Sequence, residues 1–261
     1  MRELIIHADD YGLTGSVSEG ILQAHAHGLV TSTSILMTHV TPKELAWARA
    51  EPTCDFGLHL NCTSGVPCAA LSDVPALVGE RRTFSIPRQA DPGSPHKRFD
   101  FGAIPERELR RELEAQIAAG LATGLPLSHL DTHHHIHRDP RIFALLCDYA
   151  AAHRWAIRAL DAGQVAQCYA AGIPTTGHFL GGWFGQAAIQ APTMLDAVDA
   201  LPADSTAELM CHPGQMSETL ELISGYHQER AQELAVLTDP ALRLALRERD
   251  IRLIGWGDLL H

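Results

Sequence analysis

Histidine is the residue type whose number and placement point first to chemistry. The chain contains 16 histidines among 261 residues, and five of them lie in the segment SHLDTHHHIH at 128–137. Short histidine-rich tracts can bind metal ions, because imidazole nitrogens are good ligands. If a preceding strand continued through the tract, alternation would place His133, His135 and His137 on one side. We expect at least one of these three to bind a metal ion or to act in catalysis.

Further polar residues lie where predicted strands end. They are Asp9 and Asp10 just after the first strand, His59 and Asn61 at the end of the third, Asp131 and His133 at the end of the fourth, Arg158 near the end of the fifth and His212 after the seventh. In β/α barrels the C-terminal strand ends meet on one face, and catalytic groups lie there. We expect these side chains to meet at that face.

Carboxylates and imidazoles among these residues could form a hydrolytic metal site. Asp10, His59 and His133 would supply three protein ligands and leave one position for water. A bound divalent ion lowers the pKa of its water toward neutrality. Asp9 could take the proton from that water as the catalytic base, and His212 could protonate a leaving amine as the catalytic acid.

Four residues are expected to bind the substrate: Arg158, Asp131, His135 and Trp183. Trp183 and its neighbour Phe184 could form an aromatic wall for a sugar ring. Ordinary structural roles remain open for several candidates. The two aspartates could form a turn, His59 could be a hydrogen-bonded core histidine, Arg158 could be an ion-pair partner, and Trp183 could pack in the core.

Short apolar runs alternate with helical patterns along the chain, which is typical of parallel strands covered by helices. The predicted strands are Leu4–His7, Ser32–Met37, Phe56–Leu60, Leu127–Thr132, Trp155–Leu160, His178–Leu180, Ala207–Cys211 and Ile251–Ile254. The predicted helices are Val17–His27, Pro42–Arg49, Pro105–Thr123, Pro140–His153, Val165–Ala171, Thr193–Leu201, Tyr226–Leu237 and Pro240–Arg249. The pattern alone does not separate a barrel from an open doubly wound sheet. No GxGxxG follows the first strand, which disfavours the nucleotide-binding variant.

The whole chain, 1–261, is predicted to be one domain, since β/α barrels commonly reach this length. A proline-rich stretch at about 62–104 interrupts the alternation, which then resumes. We interpret it as an insertion loop, either a functional lid or, in its central part, a partly disordered excursion.

Composition restricts the partners and the location. The formal net charge of −11 argues against nucleic acid and against an anionic membrane surface. The six cysteines form no CxxC pair, and the N-terminus lacks the apolar stretch of a signal peptide, so we predict a cytoplasmic protein with reduced thiols. A Cys211–His212 nucleophile is disfavoured, because neighbours in a strand point to opposite faces.

An ordered set of motifs resembles the YdjC-like carbohydrate deacetylase family, which includes chitooligosaccharide deacetylases. The motifs are HADDYGLT at 7–14, GLVTSTSILM at 28–37, FGLHLN at 56–61, SHLDTHHHIH at 128–137 and MCHPG at 210–214. The resemblance covers nearly the whole chain, and the 62–104 stretch matches least. The family usually begins closer to NADDFG, so His7 and Tyr11 depart from its pattern beside the two aspartates.

The resemblance implies a distorted, TIM-like (β/α) barrel of seven or eight parallel strands, related to polysaccharide deacetylases. It implies one divalent metal ion, magnesium or zinc, bound by Asp10, His59 and His133, with Asp9 as base and His212 as acid. It also implies N-deacetylation of a small sugar or oligosaccharide, and it favours a homodimer. The alternatives are a metal-dependent amidohydrolase acting on a non-sugar amide, a non-catalytic metal- or sugar-binding protein, and a role in lipid-linked or hopanoid pathways.

Overall fold

The computed structural model describes residues 1–90 and 97–260. Its strands are β1 (Arg2–Tyr11), β2 (Ser32–Ile35), β3 (Asp55–Leu60), β4 (Arg88–Ala90), β5 (Lys97–Phe99), β6 (Leu127–Thr132), β7 (Ala156–Ile157), β8 (His178–Leu180), β9 (Thr206–Cys211) and β10 (Ile251–Leu253). Its α-helices are α1 (Gly15–His27), α2 (Pro42–Arg49), α3 (Glu106–Ala122), α4 (Pro140–His153), α5 (Ala162–Ala170), α6 (Ala191–Asp199), α7 (Glu218–Ile223), α8 (Gln228–Leu237) and α9 (Pro240–Glu248).

Eight of the strands form one parallel sheet in the order β7-β6-β3-β2-β1-β9-β8, with β10 beside the start of β1. The sheet curls into a half-barrel, which confirms the distorted (β/α) barrel that the family resemblance implied. Its two edges are linked through the segment after α5: the Ile157 N–H donates to the Pro174 carbonyl at 3.0 Å, and the Thr175 hydroxyl donates to the Ile157 carbonyl at 2.7 Å. The carboxyl ends of the strands therefore surround a common centre.

The central strand β1 is buried on both faces, which explains its continuous apolar run. Ile5, Ile6 and Ala8 are completely buried, and strands lie on both sides of it. This strand is longer than predicted and includes Asp9 and Asp10. The turn alternative for the two aspartates is therefore wrong.

Helix starts follow the capping rules that the sequence suggests. Thr41 forms a capping box with Glu44 ahead of α2, and Asp139 and Asp239 each accept a backbone N–H from the first turn of their helices. Each of these three helices also begins with proline at its first position, where the missing N–H costs nothing. These local signals explain why the predicted starts of α2, α4 and α9 agree with the structure.

The insertion at 62–104 is an ordered segment in its described part. It contains the antiparallel hairpin β4–β5 and packs Val74, Leu77 and Phe84 into the core beside α3. Neither the hairpin nor this packing was predicted. The central prolines, Pro92 and Pro95, lie outside the described residues.

Three further elements differ from the sequence predictions. Strand β7 has only two residues instead of Trp155–Leu160, the short helix α7 was not predicted, and a 3₁₀ helix (His133–Arg138) follows β6. Within the described chain, no helix is long and apolar enough to cross a membrane. The cytoplasmic location and the homodimer stay predictions.

Candidate active site

A local irregularity in β1 brings two adjacent carboxylates to the same end of the sheet. A regular strand would point Asp9 and Asp10 to opposite faces. Asp10 instead has a left-handed backbone, with φ of 73°, and the pairing register with β2 shifts between Ala8 and Tyr11. Such bulges re-aim side chains near functional sites. Both carboxylates are buried at the carboxyl end of β1.

Asp10 faces two imidazoles that come from other strand ends. Its Oδ1 lies 2.9 Å from His133 Nδ1 and 3.3 Å from His59 Nε2, and the three ligand atoms lie within 4.8 Å of one another. Asp10 Oδ1 accepts no well-formed hydrogen bond from the described residues. Spacings of about 3 Å fit ligands that share one ion at about 2.0–2.2 Å. The sequence-predicted ligand set is therefore a group that could hold a metal ion.

The His59 ring is oriented from behind by Asp131. His59 Nδ1 donates to Asp131 Oδ1 at 2.8 Å, and Ser34 Oγ donates to Asp131 Oδ2 at 3.0 Å. This leaves Nε2 facing Asp10, which is the carboxylate–histidine arrangement found behind many metal sites. Asp131 is fully buried, so the predicted substrate contact does not fit this structure, and its carboxylate contacts His59 instead.

The charged surroundings of His59 also affect its proton. Burial alone would lower the pKa of His59, but the carboxylates of Asp131 and Asp9 outweigh burial and raise the pKa to about 10. Burial would raise the pKa of Asp10, but His133 and Arg230 hold it well below its usual range. A cation bound among these groups would compete with protons for the same lone pairs.

The histidine tract does not continue the strand, so the predicted alternation through it is wrong. Strand β6 ends at Thr132, and His134 and His135 adopt left-handed backbones with φ of 57° and 52°. His133 consequently turns toward Asp10, while His134 packs on the Phe99 ring of the insertion at 5.0 Å. The tract thus links the metal-ligand candidate to the insertion hairpin.

His135 lies beside a small cavity next to the candidate site. The cavity has a volume of about 190 Å³ and is lined by the 3₁₀ helix and by the insertion, including Gln89, Arg98 and Asp100. His135 also contacts the Phe179 ring edge-on at 5.5 Å. Its predicted contact with substrate stays a prediction. A larger cavity, of about 400 Å³, lies around the amino ends of β2 and β3, away from these residues.

Asp9 is held by Arg158 in a bidentate ion pair. Arg158 NH2 lies 2.6 Å from Asp9 Oδ1 and NH1 lies 2.9 Å from Asp9 Oδ2, while Arg158 Nε donates to Glu208 Oε1 at 2.8 Å. Burial would raise the pKa of Asp9, but the charges of Arg158 and His59 lower it to about 2. Arg158 is 0% exposed, so the predicted substrate contact is replaced by the ion-pair role.

His212 lies at the end of β9, on the Asp9 side of the cluster. Its Nε2 is 3.8 Å from Asp9 Oδ2, and its ring meets the stacked rings of Phe184 and Tyr226 edge-on, at 5.4 and 5.5 Å. Burial lowers the pKa of His212 to about 4, against the opposing charges of Asp9 and Asp10. The proposed base and the proposed acid therefore lie on one side of the metal-ligand candidates.

The structure moves the predicted aromatic contact from Trp183 to its neighbour Phe184. Trp183 is 3% exposed, packs in the hydrophobic core and donates from Nε1 to the Gln190 carbonyl, so it offers no ring face to a substrate. Phe184 is 38% exposed and stacks on Tyr226 at 4.5 Å, beside His212. The ring that faces the candidate site is Phe184.

Three charged residues of the site were missed by the sequence analysis. Arg230 on α8 forms an ion pair with Asp10 Oδ2, Glu233 on the same helix accepts the His212 backbone N–H, and Glu208 supports Arg158. Arg230 and Glu233 lie in a charged helical segment, where a solvated face is the usual interpretation. The only available signal was their spacing of three residues, which puts both on one helix face.

Comparison with known protein sequences finds matches over nearly the whole chain. The model of the YdjC-like protein family matches residues 3–248. A carbohydrate deacetylase from Geobacillus stearothermophilus is 33% identical over 258 residues, which cover 98% of each chain.

Solved structures agree as well. A crystal structure of an Enterococcus faecalis V583 protein, provisionally assigned to cellobiose-phosphate cleavage, has a TM-score of 0.86, is 27% identical, and covers 99% of this chain and 98% of its own. The Xyl-CE4 domain of a xylanase from the hindgut metagenome of Trinervitermes trinervoides has a TM-score of 0.53 at 10% identity, covers 98% of this chain and 88% of its own, and shows the fold alone. Because both the family match and the relative at 33% identity span nearly the whole chain, the chain belongs to the YdjC-like protein family.

Proposed function

We propose that this protein is a metal-dependent hydrolase that removes the acetyl group from an N-acetylated sugar. The observation that carries the proposal is the convergence of Asp10, His59 and His133 within 4.8 Å, with the carboxylate of Asp9 beside them. Relatives that match over nearly the full length are named carbohydrate deacetylases, which supports a sugar as the substrate.

The donor set favours a transition metal over magnesium. Two imidazole nitrogens and one carboxylate suit zinc, whereas magnesium prefers oxygen ligands. When bound, a divalent ion would supply Lewis-acid polarisation of the amide carbonyl and would acidify water. The chain contributes three ligands here, which is the number found in catalytic zinc sites that keep one position open.

Asp9 is the proposed base. Its Oδ2 lies 3.9 Å from His59 Nε2, so a water bound near the ligands would be within its reach. The Arg158 guanidinium keeps the carboxylate ionised and fixes its orientation, so Asp9 is ready to accept a proton near neutral pH. The same ion pair lowers the basicity of Asp9. Its contribution to catalysis therefore depends more on its position beside the attacking water than on a high pKa.

His212 is the proposed acid, and the partly exposed ring of Phe184 is the proposed contact for the sugar ring. His212 Nε2 lies 3.8 Å from Asp9 Oδ2, so an amine that leaves a carbon attacked beside Asp9 would be within reach of this nitrogen. Phe184 lies 5.4 Å from the His212 ring, which would place a stacked sugar close to the acid that protonates its nitrogen.

The test measures acetate release and metal content in the same protein preparations. Zinc-loaded wild-type protein should release acetate from one or more N-acetylated sugars and only slowly from simple non-sugar acetamides. His133→Ala should lose both the metal and the activity. Asp9→Asn should keep the metal and lose at least about 100-fold in kcat.

Asp148→Asn is the matched control, because Asp148 is an exposed aspartate on α4. It should behave as wild type in both measurements. Preferential hydrolysis of the non-sugar amides would reject a sugar as the substrate. Full activity in Asp9→Asn would remove Asp9 as the base, and full activity without bound metal would reject the metal-dependent mechanism.

A further inference from the structure

Glu233 is a buried carboxylate beside the proposed acid, and the mechanism above gives it no role. It lies on α8 with its side chain unexposed. Its Oε2 accepts the backbone N–H of His212, and its Oε1 accepts the Tyr226 hydroxyl at 2.5 Å. Both oxygens are therefore hydrogen-bond acceptors.

Tyr226 fixes the direction of this hydrogen bond. Its hydroxyl oxygen accepts the Gly185 N–H at 3.2 Å, so the hydroxyl proton points to Glu233. Two accepted hydrogen bonds favour the ionised form of a carboxyl group. Burial raises the pKa of Glu233 to about 7, even though hydrogen bonds from His212 and Tyr226 and the charge of Arg230 favour its ionised form.

The His212 ring turns its second nitrogen toward this carboxylate. His212 Nδ1 lies 3.8 Å from Glu233 Oε1 and has no hydrogen-bond partner within residues 1–90 and 97–260. The other ring nitrogen, Nε2, lies 3.8 Å from Asp9 Oδ2, toward the metal-ligand candidates. The ring thus spans the gap between a buried carboxylate and the reacting centre.

We propose that Glu233 is a positioning residue that holds His212 as an imidazolium, with Nδ1–H directed at its carboxylate and Nε2–H directed at the leaving amine. This proposal rests on the proposed deacetylase function, because it assigns the support of the same acid. Tyr226 acts one step further out by anchoring Glu233 while it stacks on Phe184.

The charges around His212 explain why such support is needed. Asp9, Asp10 and Glu233 face it with negative charge, whereas Arg230 and Arg158 face it with positive charge. Burial dominates and lowers the pKa of His212 to about 4, which would leave too little imidazolium for acid catalysis at neutral pH. If His212 Nδ1 and Glu233 Oε1 moved from 3.8 Å to hydrogen-bond distance, the pKa of His212 would rise, because a carboxylate favours the charged imidazole.

The protons balance without a change of charge on Glu233. Water adds to the amide carbon, and its proton passes to Asp9. The C–N bond then breaks, and its electron pair takes the proton from His212 Nε2, which leaves a neutral imidazole whose Nδ1–H still donates to Glu233. The products are acetic acid, which ionises to acetate, and the sugar amine. Asp9 then releases its proton to solvent and His212 takes one up from solvent, which restores both groups.

The test combines Glu233→Gln with His212→Ala in zinc-loaded protein. Glu233→Gln should lower kcat for acetate release by about 10- to 100-fold in the wild-type background and by less than about twofold in the His212→Ala background. Losses that multiply in the double variant would overturn the proposal, since Glu233 would then act independently of His212.

A second measurement does not depend on activity. The pKa of His212, followed by the NMR shift of its Cε1 proton and assigned by its absence in His212→Ala, should fall by about one unit in Glu233→Gln. Glu221→Gln, at an exposed glutamate on α7, should leave it unchanged. An unchanged His212 pKa in Glu233→Gln would also overturn the proposal.

Tyr226→Phe provides a milder variant if Glu233→Gln folds poorly. It keeps the ring that stacks on Phe184 and removes only the hydroxyl that donates to Glu233. It should lower kcat by about threefold to tenfold with little change in KM, and an unchanged kcat would overturn the proposed anchoring of Glu233 by Tyr226. If the wild type releases no acetate from any sugar, the proposed function fails. The NMR measurement of the His212 pKa still decides whether Glu233 stabilises the protonated form of His212.

Discussion

Asp9 and Asp10 are adjacent in the chain, but their carboxylates contact different partners. Asp10 faces the imidazoles of His59 and His133, whereas Asp9 is bound by the guanidinium of Arg158. The left-handed backbone at Asp10 makes this division geometrically feasible. The proposed division of two identical side chains between metal binding and base catalysis thus depends on their different environments.

Asp131→Asn tests the support behind His59. The amide can still occupy the space, but it loses the negative charge that accepts the His59 Nδ1–H and stabilises a ligand histidine. Zinc affinity, measured by calorimetric titration of metal-free protein, should fall by about 10- to 100-fold. Asp148→Asn should leave it unchanged, and an equal affinity in Asp131→Asn would mean that Ser34 alone orients His59.

At the residue level, the sequence was sufficient to predict the site residues that lie at strand ends. It was not sufficient to predict those that reach the site from a helix. Asp10, His59 and His133 follow from strand ends that must meet at one face. Arg230 and Glu233 depend on which face of α8 turns inward, and their burial reverses the usual placement of charged helix residues. The support roles of Asp131 and Arg158 likewise require side-chain directions that a strand-end rule does not give.

Among the elements, α3 anchors the insertion through buried glutamates on its inner face. Glu112 accepts the backbone N–H groups of Cys68 and Ala69, both at 2.9 Å, and Glu108 accepts that of Ala76 at 2.6 Å. These bonds satisfy backbone groups in a segment that has little regular structure of its own. The amphipathic pattern of α3 predicted its apolar contacts but not this carboxylate row.

Glu112→Ala should therefore loosen the insertion. Two backbone donors lose their acceptor, which should lower the free energy of unfolding by about 1–3 kcal/mol. Urea denaturation measures this loss, and limited proteolysis should show faster cleavage between residues 62 and 87. Glu114→Ala is the control at an exposed position of the same helix. Equal stability and equal cleavage in the two variants would show that apolar packing alone holds the insertion.

The elements also show where pattern analysis succeeds and fails. The helix starts of α2, α4 and α9 carry local caps, so the sequence around Thr41, Asp139 and Asp239 is sufficient to predict them. The turn at His133 is different, because left-handed backbones at His134 and His135 carry no glycine signal. Tertiary contacts, such as that between His134 and Phe99, stabilise this turn instead.

For the whole molecule, buried neutral histidines make stability depend on pH. His129 is completely buried, stacked on Trp256 at 5.2 Å, and burial keeps its pKa well below the ordinary value. Burial likewise lowers the pKa of His137 to about 3. A histidine whose folded pKa is lowered contributes stability that is present above the unfolded pKa of about 6.5 and is lost as pH falls below it.

Lowering the pH from 7 to 5 should thus reduce the free energy of unfolding well before most carboxylates titrate. Each fully buried neutral histidine costs about 2 kcal/mol at pH 5, because the unfolded chain gains a proton that the folded site rejects. Urea denaturation of metal-free protein at both values measures the change. His129→Gln should remove about 2 kcal/mol of that pH dependence, whereas His27→Gln, at an exposed position of α1, should not. A pH dependence equal to that of the wild type in His129→Gln would mean that His129 is protonated in the folded protein, and its packing against Trp256 and His7 would then have to accommodate a charge.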